Sequence, residues 1–315
     1  MDVASLGLAV KKYRQEIVLY VVFVLIYLIL TFATPPDTAA LHKYHLTSGG
    51  MNALLLTIAL PYIVIWLIAL VGYLRLHVYV SAIKDSKDGA AFHEIGQGIL
   101  WFTLWLPLSA IVGAAESYYC HKYPSATAPT VLITNYVNLL ILVPGFLFTY
   151  TGSQKLLKLI KRPRYSLPLK VMLAFIAFSA LYTFLTLHDP SRRHPQAPVT
   201  TATYYLPDWL TVTTIIVPRL LSWFLGIYAL YNLYMYQVFV KGELYKQALT
   251  SLTIGIGGVV GMVIVLRCLQ SLANSLGKLG LNAILLVVYI LLIVLSIAYI
   301  FIARGANKLK RIEDS

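Results

Sequence analysis

Two arginines stand where charge is costly. Arg219 falls inside the apolar run TIIVPRLLSW at 214–223, and Arg267 falls inside the run 248–276. Arg267 also heads a polar stripe with Gln270, Ser271, Asn274 and Lys278. Steps of three, four, seven and eleven residues from Arg267 place these side chains on one helical face. A guanidinium fork matches the geometry of a carboxylate or a phosphate. The chemistry to expect is therefore non-covalent capture of an anionic small molecule in an outward-facing polar pocket. Arg219 and Arg267 would supply the charge, and Gln270 and Asn274 the hydrogen bonds. Asp208 and Glu116 would line the pocket, with Glu116 alternatively neutralising an arginine as a structural ion pair. Tyr62 joins the set because it fills the place of Arg219 in a related segment described below. The bland alternatives are a snorkelling Arg219 and a stripe that is simply a wet helix end.

Other chemistry is thinly represented. Of seven histidines, none sits near the middle of an apolar run, which argues against axial haem ligation. His42 and His45 make a two-ligand fragment without a third ligand. The P-loop, HExxH and GxSxG patterns do not occur. We expect no enzyme activity, no cofactor and no metal. Cys120 and Cys268 are the only cysteines and fall toward the same side, so they form a candidate disulfide, with two unpaired thiols as the alternative.

The elements that must position these residues follow from composition. Apolar residues make up 59% of the 315 and charged ones only 12%. A soluble domain carries about a quarter of its residues charged, so this chain must keep its apolar surface in lipid. Apolar runs at 16–33, 51–76, 95–115, 130–150, 170–187, 208–240, 248–276 and 281–303 predict eight spans, most near the roughly 20 residues that cross the hydrocarbon. The first run follows Lys11, Lys12 and Arg14 as a signal peptide would, but TFATPPD replaces a small-x-small cleavage site. It reads as a true span. The expected fold is all-α and polytopic.

Charge sets the orientation. Eighteen of the 25 Lys and Arg residues lie at the termini and in alternate connections, and six lie on the other side. The positive-inside rule then puts both termini in the cytoplasm, with the plasma (inner) membrane as the expected location. The net charge of +13 is thereby assigned to orientation and membrane lipids, and nucleic acid is not an expected partner.

The chain also repeats itself. Shifted by 157 residues, Thr57, Pro61, Trp66, Lys84, Ala91 and Gly98 meet Thr214, Pro218, Trp223, Lys241, Ala248 and Gly255. YLILTFATP at 27–35 matches YTFLTLHDP at 182–190, and GSQKLLKLI at 152–160 matches GANKLKRIE at 305–313. The pattern predicts two four-helix repeats, 1–160 and 161–315, inserted in the same sense and related by an axis along the membrane normal. Pro61 and Pro218 predict kinks in the second and sixth helices, with a nearby Thr hydroxyl satisfying a freed backbone group. Gly257 and Gly261 form a GxxxG that predicts close helix packing.

These features favour a transporter or solute-binding membrane protein. A membrane sensor with a cytoplasmic partner, or a non-catalytic scaffold subunit bound to another membrane protein, are the alternatives.

Overall fold

The structure, a computed structural model, describes residues 14–33, 48–83, 86, 88–123, 127–160, 167–188, 208–276 and 281–313. They form eight helices and, among the described residues, no strand: α1 (Arg14–Ala33), α2 (Ser48–Ala82), α3 (Gly89–Lys122), α4 (Thr127–Leu159), α5 (Leu169–Leu187), α6 (Asp208–Phe239), α7 (Glu243–Leu276) and α8 (Leu281–Glu313). Hydrocarbon offers no hydrogen bonds to a bare backbone, so an apolar chain must satisfy its N–H and C=O groups within helices. Seven of the eight are long and apolar enough to cross a membrane, and the apolar stretch of α1, Ile17–Leu30, is shorter. The chain is an all-α integral membrane protein.

Several helices run past their apolar stretch, α8 from 303 to Glu313 and α4 from 150 to Leu159. Between α6 and α7 the break is Gly242, whose φ of 100° is a left-handed conformation that glycine adopts without a Cβ clash. Many large apolar side chains remain exposed along the helices, including Leu60, Leu140, Leu169, Ile176 and Ile290. A water-soluble chain would bury them; here they form the lipid-facing surface.

Contacts fix the direction of seven helices. Thr57 meets Tyr289 and Gly72 meets Tyr299, so α2 and α8 lie side by side and parallel. Asn135, Phe146 and Ser153 on α4 meet Arg219, Gly226 and Asn232 on α6, so these two are also parallel. Neighbours α3/α4 and α7/α8 are antiparallel, and α5 runs against α6. The last turn of α8 therefore shares one end of the bundle with the end of α2, the start of α3 and the 240–242 turn.

Two helix crossings have the same construction. A Cβ on Gly98 would lie 2.9 Å from the Gly145 carbonyl oxygen, and one on Gly152 would lie 2.7 Å from the Ala91 oxygen. At the other crossing, a Cβ on Gly255 would lie 2.7 Å from the Ala298 oxygen, and one on Gly305 would lie 2.9 Å from the Ala248 oxygen. Ala91 and Ala248, like Gly152 and Gly305, are the positions matched in sequence. The aromatic pairs agree. Tyr27 stands edge-on to Trp66 with centroids 5.1 Å apart, and Tyr182 stands edge-on to Trp223 at 4.8 Å. All four rings are buried.

The matched prolines differ in their consequence. In α2 the helix continues through Pro61, and the Thr57 carbonyl, which Pro61 cannot serve, accepts the Tyr289 hydroxyl at 2.7 Å. In α6 the residues before Pro218, Val212–Ile216, widen into a π-turn in which the Val217 N–H reaches the Val212 oxygen. The Thr214 hydroxyl donates to the Leu210 carbonyl at 2.6 Å. At Thr57 the freed carbonyl is thus served by a hydroxyl from another helix. Tyr289→Phe should lower stability by about 0.6–1.5 kcal/mol, measured by thermal unfolding in detergent.

The GxxxG expectation is corrected. A Cβ on Gly261 would meet nothing within 4 Å, and one on Gly257 would meet only the Leu230 side chain, at 3.5 Å. The close approach to α8 is made instead by Gly255 and Gly258. Gly261→Ala should therefore be neutral or stabilising by up to about 1 kcal/mol, read in the same unfolding assay.

Candidate functional site

The site is built on α6 just past the π-turn. Arg219 is half-buried, one residue beyond Pro218. Helix geometry puts it about 16 Å from Asp208 and about 30 Å from Phe239, toward the end of the bundle opposite the last turn of α8. Its Nη1 donates to the Tyr182 hydroxyl at 3.1 Å, and its Nη2 donates to Asn135 Oδ1 at 2.7 Å. Tyr182 comes from α5 and Asn135 from α4, so one guanidinium ties three helices together.

Local packing holds these partners in place. Tyr182 is only 2% exposed and is wedged against Trp223, which follows Arg219 by four residues on the same face of α6. Phe178, one turn before Tyr182 on α5, also packs on Trp223, with ring centroids 5.9 Å apart. On α4, Asn138 follows Asn135 by one turn, and its Oδ1 is buried with no hydrogen bond among the described residues.

The electrostatics are one-sided. Both hydrogen-bond partners of Arg219 are neutral, and among the described residues no carboxylate pairs with it. A guanidinium carries five N–H donors, and among the described residues two of them are used. A positive charge at such a position is expensive unless paired. Neutral oxygens align dipoles toward it without cancelling it. The arrangement can accept an anion on the remaining N–H groups.

Asp208 is exposed at the start of α6, and Glu116 is half-buried on α3; the two hydrogen bonds of Arg219 go to Tyr182 and Asn135 instead. Tyr62 is half-buried on α2, in the corresponding place beside Trp66. The backbones of Arg267, Gln270 and Asn274 lie in α7, and their side chains fall outside the described residues. Cys268 carries a half-buried free thiol, while the Cys120 side chain lies outside the described residues. His42 and His45 are outside them too. No group of three or more His, Cys, Asp or Glu is placed to hold a metal among the described residues.

Asn135 and Tyr182 escaped sequence reasoning. Asn135 sits in an apolar run where a single amide resembles a tolerated polar residue. Tyr182 was legible only as a match to Tyr27. The missing signal is adjacency, since neither periodicity nor hydropathy says that α4 and α5 flank α6.

Comparison with protein-family models, with curated proteins and with solved structures finds no match.

Proposed function

We propose that the chain is a transporter or solute-binding membrane protein for an anionic small molecule. The observation that carries this reading is Arg219, held between three helices by neutral partners only. A carboxylate or phosphate docking on its remaining N–H groups would remove the cost of the isolated charge and gain charge-assisted hydrogen bonds.

The same proposal makes residues 1–160 and 161–315 two parallel four-helix units, with both termini cytoplasmic and the plasma (inner) membrane as the setting. The matched glycine crossings support duplication, as do the two Tyr–Trp pairs. So does the reciprocal packing of α2 on α8 and α4 on α6, since each pair joins the second helix of one unit to the fourth of the other. Lys155, Lys158, Lys241, Lys246, Arg304 and Arg311 gather at the end where α8 finishes, which supports the cytoplasmic assignment of that end. On this reading Arg219 bridges the units, because Asn135 belongs to the first and Tyr182 to the second. It opens toward the outer side.

The test uses the full chain in nanodiscs with a monocarboxylate, a dicarboxylate and inorganic phosphate as probes. One class should raise the unfolding midpoint of the native protein, as a ligand bound to the folded state must, and should do nothing for Arg219→Leu. The same anion should cross proteoliposomes bearing the native chain. If every probe shifts both proteins equally, or none shifts the native one, the reading fails.

A further inference from the structure

The final turns of α8 carry a second polar feature that the Arg219 site does not use. Arg304, Lys308 and Arg311 follow at steps of four and three, so they share one helical face. Together with Ile300, Ala303 and Asn307 they line a shallow open groove of about 500 Å³. Arg304 and Arg311 are exposed, and Lys308 has one polar contact, the Gln247 side-chain oxygen at 3.5 Å. Among the described residues no carboxylate pairs with any of the three.

The same face of α8 is apolar above the cations. Leu286, Ile293 and Ile300 stand exposed at intervals of seven residues, at 61%, 59% and 54%. That stripe runs about 21 Å along the axis, more than the roughly 15 Å depth of one leaflet's hydrocarbon. A greasy track thus leads directly into a cationic cluster. The partner that fits both at once has acyl chains joined to a negatively charged head.

The corresponding face of α4 is built differently. The crossings of Gly152 on Ala91 and Gly305 on Ala248 set the register, so Thr151, Lys155 and Lys158 correspond to Arg304, Lys308 and Arg311. One cation is replaced by a hydroxyl. A second, Lys155, is neutralised by Glu94, whose counterpart at 251 is serine. Only Lys158 is left uncompensated there.

We infer that α8 binds one anionic phospholipid, with its phosphate on Arg304, Lys308 and Arg311 and its chains along the Leu286–Ile300 stripe, and that α4 has no equivalent site. Cations near an anionic headgroup each add to its retention, while an apolar track alone does not discriminate headgroup charge.

The experiment uses the full chain, purified in detergent and exposed to equal phosphatidylglycerol and phosphatidylcholine, with retained lipid counted by native mass spectrometry. The native protein should keep one phosphatidylglycerol in preference to phosphatidylcholine. R304Q/K308Q/R311Q should retain at least roughly tenfold less. R75Q/K155Q/K158Q, which removes the same number of charges elsewhere, should stay within about twofold of native. Millimolar inorganic phosphate should leave the bound lipid in place. Equal retention of the two lipids by the native chain, equal losses in both triple variants, or displacement by phosphate alone would each overturn the assignment. Since five of the six positions are exposed and Lys308 is half-buried, both triple variants should elute as the native chain does on size exclusion; if only the first misfolds, R304Q alone, expected to lose several-fold, decides the matter.

Discussion

Gly152→Ala and Gly305→Ala should be among the most damaging single-methyl substitutions in the protein, each costing about 3 kcal/mol. At Gly152 the added carbon would stand 2.7 Å from the Ala91 carbonyl oxygen and 2.9 Å from the Ile95 nitrogen. At Gly305 it would stand 2.9 Å from both the Ala248 oxygen and the Leu252 nitrogen. These are backbone atoms of a neighbouring helix, and no side-chain rotation relieves the overlap. The helices must separate, which forfeits dispersion contacts along the whole crossing. Overpacking by a methyl commonly costs 1–3 kcal/mol, and a rigid backbone wall puts these two at the upper limit. Thermal unfolding in detergent measures the loss, with Gly261→Ala as the control that adds the same methyl to open space. Equal midpoints for Gly152→Ala and Gly261→Ala would show that the α3–α4 crossing is not as close as described.

The second large effect is a separation of stability from binding at Arg219. Arg219→Leu should abolish anion binding, by at least tenfold, while leaving the unfolding midpoint unchanged or raised by about 1 kcal/mol. The substitution gives up two hydrogen bonds from a charged donor, worth about 1.5–3 kcal/mol each. It also removes the cost of holding an unneutralised charge among helices, several kcal/mol, and adds apolar packing. The gains and losses nearly cancel in the empty protein, whereas binding loses the charge that carries it. A purely structural arginine predicts the reverse sign, a clear fall in the midpoint. Tyr182→Phe is the milder companion: it keeps the ring against Trp223 and removes one hydrogen bond. It should weaken binding a few-fold by loosening the guanidinium.

Much of this architecture was written in the residues. Eight apolar runs became eight helices, because in lipid a long uncharged run has few other ways to satisfy its backbone. Trp66 and Trp223, and Gly98 and Gly255, stood in common register and occupy matching environments. The site was legible only in part. Arg219 advertised itself by being a charge in an apolar run, but its partners lie 84 and 37 residues away on helices whose adjacency no periodicity encodes. Asp208 and Glu116 were plausible by sign of charge alone, whereas the hydrogen-bond partners of Arg219 are a hydroxyl and an amide. The GxxxG at 257 and 261 misled for a related reason: spacing identifies a face but not what that face meets.

The turn before α3 preserves a trace of how such a protein could arise. Asp88 accepts a hydroxyl hydrogen bond from Tyr245 at 3.1 Å, and these two positions are 157 residues apart, the interval that aligns the halves. In an ancestor made of two identical subunits, a residue here would have faced its own twin. Tyrosine tolerates that meeting, whereas two carboxylates in contact cannot both stay ionised. On the proposed duplication, aspartate at 88 becomes admissible once the two copies share one chain and can diverge.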